Sequence, residues 1–137
     1  MLVPMLRAVA AAKLRNKDGK GAVEALERAL EIVEKHHGYV APLLGDLQED
    51  LGLALSALGS HKDALKAHDD ALLPLEAMYG MTHPKVVTNL VRRGDLAHRL
   101  GDEPYAKQMW GAALPDLEAR LGAADPTVVR LRKSLGK

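Results

Sequence analysis

A chain of 137 residues, 47% of them hydrophobic, has enough apolar material for one compact unit. Its formal charge of +1 creates no field that would draw nucleic acid, and the absence of Cys excludes disulfides, a thiolate nucleophile and a zinc–thiolate centre. Ala and Leu carry the apolar share, with no Phe, one Trp and three Tyr, a makeup suited to helices that approach closely through small side chains.

The first helix is expected over about 3–16. The stretch Met1–Lys17 carries Arg7, Lys13, Arg15 and Lys17 and no acid, the composition of a mitochondrial-type presequence, but its apolar spacing reads as helix. A second helix follows over about 20–37 and Gly38 stops it. The third, about 41–58, opens with Pro42 in its first turn, where the missing N–H costs nothing, and ends at Gly59. The fourth, about 61–79, starts at Ser60 and Asp63, a pair resembling a capping box, and ends at Gly80. Thr82 is placed to cap a fifth helix over about 83–100, which ends at Gly101. The sixth spans about 103–121 and ends at Gly122. Asp125 is placed to cap a short seventh helix over about 126–135. Pro74 and Pro115 fall inside the fourth and sixth helices, so a bend is expected in each, and Gly111 weakens the sixth further. No apolar run approaches the roughly 18–20 residues of a membrane span.

The punctuation repeats. Gly38, Gly80 and Gly122 are separated by steps of 42 residues, as are Pro42, Pro84 and Pro126, and Gly52, Gly94 and Gly136. Ala64 and Ala106, Ala71 and Ala113, and Leu75 and Leu117 keep the same phase. This divides the chain into repeat 1 (about 1–38), repeat 2 (about 39–80), repeat 3 (about 81–122) and a capping helix (about 125–136), together a single domain. Each repeat is a pair of antiparallel helices. Gly52 and Gly94 lie where a first helix meets its partner, opposite the alanines spaced seven apart on one face of each second helix. His68 takes the place that Trp110 holds in the next repeat and is expected to be a partly buried packing residue.

The order small residue, turn Gly, Ala, Ala at Gly52–Gly59–Ala64–Ala71 and Gly94–Gly101–Ala106–Ala113 resembles the tetratricopeptide repeat. The long step, with Tyr-Gly-Met-Thr-His-Pro at 79–84 and Leu-Gly-Ala-Ala-Asp-Pro at 121–126, is similar to the longer variant of kinesin light chains. The resemblance implies an all-α, right-handed α-solenoid of three helix pairs plus a C-terminal capping helix. It also implies a protein- or peptide-binding scaffold or adaptor, using a concave face lined by the first helix of each repeat. On that face the alignment places Arg7, Arg15, Asp46, Glu49, Asp50, Leu53, Thr88, Val91, Arg92, Asp95, His98 and Arg99, with Arg130 and Lys133 from the last helix. The Asn-Asn pairs that kinesin light chains use on cargo are replaced by Glu49-Asp50 and Val91-Arg92, a departure from kinesin-type recognition. The Lys/Asn/Arg clamp by which another subgroup grips chaperone C-termini would fall on Arg7, Ala11, Asp50, Thr88 and Arg92, where Asp50 would repel a carboxylate.

The charges segregate along the chain: residues 45–86 carry 3 basic and 7 acidic groups, net −4, and residues 87–137 carry 9 basic and 6 acidic, net +3. A partner of mixed charge, or a second copy of the chain, would complement that. Self-association into a homodimer or other homo-oligomer is therefore the alternative role. The six His form no metal-ligand spacing; His98, three residues from Asp95, is the one on the expected groove. Adjacent carboxylates at Glu49-Asp50 and Asp69-Asp70 do not face one another on a helix, so neither is an acid/base pair. No enzyme activity, cofactor, metal, nucleic acid or membrane is expected, and the Cys-free composition fits a reducing, cytoplasmic setting.

Overall fold

The computed structural model describes residues 2–36 and 43–137. Among them are seven α-helices: α1 (Leu2–Arg15), α2 (Gly19–His36), α3 (Leu44–Ala57), α4 (His61–Tyr79), α5 (Pro84–Arg99), α6 (Glu103–Leu121) and α7 (Pro126–Ser134). The chain divides into two compact units, Met1–Met78 and Tyr79–Lys137. Gly38 and Pro42, the expected stop and start between α2 and α3, lie outside the described residues.

In the first unit the core is one apolar cluster. Val3, Leu6 and Ala10 of α1 meet Ala22, Leu26, Ala29 and Val33 of α2, with Leu44, Leu47 and Ala54 of α3. The spacings are those of one helix face, so each helix buries a stripe and leaves its charges outside. Between α1 and α2 the chain turns through Lys17, which holds a positive φ of 63°. Asp18 then caps α2, its carboxylate accepting from the Gly21 backbone N–H at 2.9 Å. That bond, with Lys13 nearby, holds the Asp18 carboxyl below the usual carboxylate range.

The contact of α3 with α4 depends on missing side chains. A Cβ at Gly52 would lie 2.5 Å from the His68 ring, and one at Gly45 would lie 2.9 Å from Leu75. His68 is fully buried, more deeply than its sequence position suggests, together with Ala64 and Ala71. Pro74 does not end α4, whose assignment runs unbroken to Tyr79. Proline removes its own N–H from the ladder and crowds the carbonyl one turn back, but Ala71 and Leu75, both buried, anchor the helix on either side.

The second unit repeats the device. A Cβ at Gly94 of α5 would lie 2.5 Å from the Trp110 ring of α6. Ala106 and Ala113 are completely buried beside Trp110. Leu114 and Leu117 of α6, Val87 and Ala97 of α5, and Val128 and Leu131 of α7 complete this core. Buried Arg93 donates to the Tyr105 hydroxyl at 2.8 Å and to Asn89 at 3.4 Å, so it is part of the scaffold. Pro115 and Gly111 likewise leave α6 unbroken.

The caps correct one expectation. The residue capping α5 is His83, not Thr82: its Nδ1 accepts from the Lys85 backbone N–H at 3.1 Å. With Pro84 fixed in the first turn, the residue directly before it is the one whose extended backbone aims a side chain at the free N–H groups. His83 also stacks on Tyr79, whose hydroxyl accepts from Lys85 Nζ at 2.9 Å. Asp125 caps α7 as expected, accepting from Thr127 and Val128. Asp102 caps α6 through Tyr105 N–H. Gly59, Gly80, Gly101 and Gly122 all take positive φ where their helices end, a conformation that a side chain would strain.

Candidate partner-binding face

The expected face can be followed in each unit separately. In the first, α1 and α3 flank a cleft of about 630 Å³. Arg7 and Arg15 line it from α1, Asp50 and Leu53 from α3, and Ala11 and Leu14 complete the first-helix lining. Of these, Arg7, Arg15, Asp50 and Leu53 are among the residues expected on this face from the sequence. That expectation missed Pro4, Ala10, Leu26 and Leu43, which also contribute. Leu26 belongs to a second helix and lies fully buried beneath the floor, which only three-dimensional packing shows. The signal available for the hollow was the adjacent pair Ala10-Ala11, two small side chains where bulkier ones would fill the space.

On this face Arg7, Asp46, Glu49 and Asp50 do not stand free. Arg7 Nε donates to Asp50 Oδ2 at 2.7 Å, closing an ion pair across the cleft wall. Glu49 and Asp46, expected on the groove, are buried, with 7% and 6% of their surface exposed. Glu49 Oε2 lies 2.9 Å from His68 Nδ1, inside the α3–α4 contact. Of the acidic pair Glu49-Asp50, then, one carboxylate turns inward to a histidine and the other turns sideways to an arginine. This is the divergence expected of neighbours 100° apart on a helix.

In the second unit Thr88, Val91, Arg92, Asp95, His98 and Arg99 follow one another along α5 at helical spacing. Thr88, His98 and Arg99 are exposed, while Val91, Arg92 and Asp95 are half-buried. Arg130 and Lys133, both exposed, come from α7. The structure brings several of these together. Asp95 accepts two bonds from the Arg130 guanidinium, at 2.9 and 3.3 Å, and a third from the Trp110 indole N–H at 3.0 Å. The sequence neighbour Asp95 is therefore not the partner of His98. His98 Nδ1 bonds instead to Glu103 in the first turn of α6, and its ring is tilted against Trp110. Asp95 thus ties α5 to both α6 and α7.

In two of the helix pairs, α3–α4 and α5–α6, a glycine of the first helix faces a ring of the second, and the first helices also carry exposed polar side chains. A family model described as tetratricopeptide repeat matches residues 2–73, more than half of the chain. The chain belongs to the tetratricopeptide repeat family. No curated protein matches the sequence. Among solved structures, BtubC (BKLC) from P. vanneervenii is similar, with a TM-score of 0.83 and 19% identity over 98% of this chain and 56% of that one. Kinesin-light-chain repeats from Podosopora anserina, nearly identical TPR-like repeats, superpose with a TM-score of 0.80 and 17% identity over 97% of this chain and 63% of theirs. The chain thus spans less than two thirds of each of these molecules, and at such identity the likeness is one of fold. The described residues of this tetratricopeptide chain are all-α, and their fold is similar to that of the kinesin-light-chain repeats.

Proposed function

We propose that this tetratricopeptide chain is a non-catalytic adaptor of the cytoplasm. In this reading residues 1–137 act as one module that holds a protein or peptide on the face carried by the first helices. The observation that carries the reading is the cleft of about 630 Å³, within the range of ligand sites and lined by first-helix residues of α1 and α3. Tetratricopeptide repeats are in general protein-interaction scaffolds, which supports a protein partner rather than nucleic acid or membrane. Affinity capture from native lysate tests it, using wild type, Leu53→Asp, and Arg92→Glu with Arg99→Glu. Captured proteins should be depleted by Leu53→Asp or by the double reversal. Equal recovery on all three baits would move the site off this face.

One observation favours a second reading, self-association. Leu2, Met5 and Val9 form an exposed apolar stripe along α1, with 40%, 59% and 37% of their surfaces uncovered. Light scattering over a concentration series separates the readings: a monomer at every concentration removes the homo-oligomer.

A further inference from the structure

We propose that the cleft of the first unit takes an uncharged, apolar side chain of leucine or phenylalanine size, presented by a peptide segment of a partner protein; this rests on the adaptor reading above. Arg7 and Asp50 face the cleft from its two walls, and they neutralise one another at 2.7 Å. An incoming ion would have to compete with a pair already formed, and a charge placed beside that pair gains little while losing its water. Neither acid nor base on the ligand is therefore rewarded at the centre of the cleft.

What is left is apolar. Ala11 and Leu14 form one part of the lining and Leu43 and Leu53 another, over a floor backed by buried Ala10 and Leu26. Leu53 is 39% exposed, so apolar surface now in water is available for burial. The hollow has a sequence cause: Ala11 stands where the 42-residue step puts Leu53 in repeat 2 and Asp95 in repeat 3. The smallest side chain of the three sits where space is needed. At about 30 Å³ per water, a volume of this size corresponds to about twenty waters, ample for one large side chain and the backbone that carries it. Arg15 is the remaining charge, exposed at the last turn of α1, where a solvated ion pair contributes little.

The test is display selection of random dodecapeptides on the full chain, followed by anisotropy titration of the recovered peptides with both ends capped. Recovered peptides should share one apolar residue, and replacing it with Ser should weaken binding about tenfold or more. Leu53→Asp and Ala11→Trp should each do the same, the first by placing a charge in the cleft and the second by filling it. Arg15→Gln should change affinity by less than about threefold, as should raising NaCl from about 0.05 to about 0.5 M. Circular dichroism checks each variant. If Ala11→Trp fails to fold, Leu53→Asp, at a partly exposed position, still decides. Peptides whose acidic residues and Arg15 carry the affinity, with a steep salt dependence, would overturn the apolar assignment and leave the adaptor reading standing. Recovery of no peptide also overturns it. Peptides indifferent to both Leu53→Asp and Ala11→Trp would remove this cleft from the adaptor reading as well.

Discussion

At the residue scale, the same residue type, glycine, has opposite consequences at two positions seventeen residues apart. Gly94 faces Trp110, and a Cβ there would lie 2.5 Å from the indole, so Gly94→Leu must separate α5 from α6 or tilt the ring. Overpacking of this kind costs about 1–3 kcal/mol. Gly111, inside α6, has nothing within 4 Å of its Cβ direction, and Gly111→Ala should stabilise by about 0.5–1 kcal/mol through helix propensity alone. Thermal melts of the two variants should therefore move in opposite directions from wild type; a shared direction would contradict the packing described. The sequence disclosed the first of these because Gly52 and Gly94 keep phase with buried Ala64 and Ala106. It did not disclose Gly45, whose Cβ would lie 2.9 Å from Leu75, because Val87 occupies the same phase in the next repeat. Where one repeat substitutes a large side chain for a small one, periodicity alone cannot say which of the two positions is crowded.

At the element scale, α7 shows how an end helix is held. Val128 and Leu131 bury its inner face, Asp125 caps it, and Arg132 donates to Glu118 of α6 at 2.5 Å. The guanidinium hydrogen bond holds the Glu118 carboxyl below the usual carboxylate range, and the same bond holds Arg132 above its ordinary value. A carboxylate whose folded pKa is depressed contributes stability above its unfolded pKa, and that contribution is lost as pH falls through the folded value. Acid should therefore loosen α7. Methyl signals of Val128 and Leu131, followed from about pH 7 to about pH 3, should shift through the range below the ordinary carboxylate value in wild type. Glu118→Gln should lose that transition; an identical profile would mean the bond does not hold the helix. The sequence announced α7 and its cap, since Asp125-Pro126 is a local signal. The Arg132–Glu118 bond was not announced, because side chains fourteen residues apart on different helices meet only once packing fixes both. His83 displaced Thr82 as the cap of α5 for a related reason: proline decided which backbone position points at the free N–H groups.

At the scale of the whole molecule, the repeat made the scaffold legible and left its ligand chemistry to the structure. Positions under packing constraint keep phase across the repeats, whereas groove positions differ: Arg7, Glu49, Val91 and Lys133 occupy one phase and share no chemistry. Only the folded chain shows that Glu49 is buried against His68, that Arg7 is taken by Asp50, and that Asp95 is taken by Arg130 and Trp110. These assignments make the single tryptophan a reporter. Trp110 belongs to the second unit and bonds to Asp95, while the cleft belongs to the first. A short capped peptide seated in the cleft should shift the Leu53 methyl signals and leave Trp110 emission unchanged. A whole partner that also engages Arg130 of the second unit should change both, because engaging Arg130 disturbs the carboxylate that accepts the indole N–H. Trp110 emission indifferent to a saturating captured partner would confine recognition to the first unit.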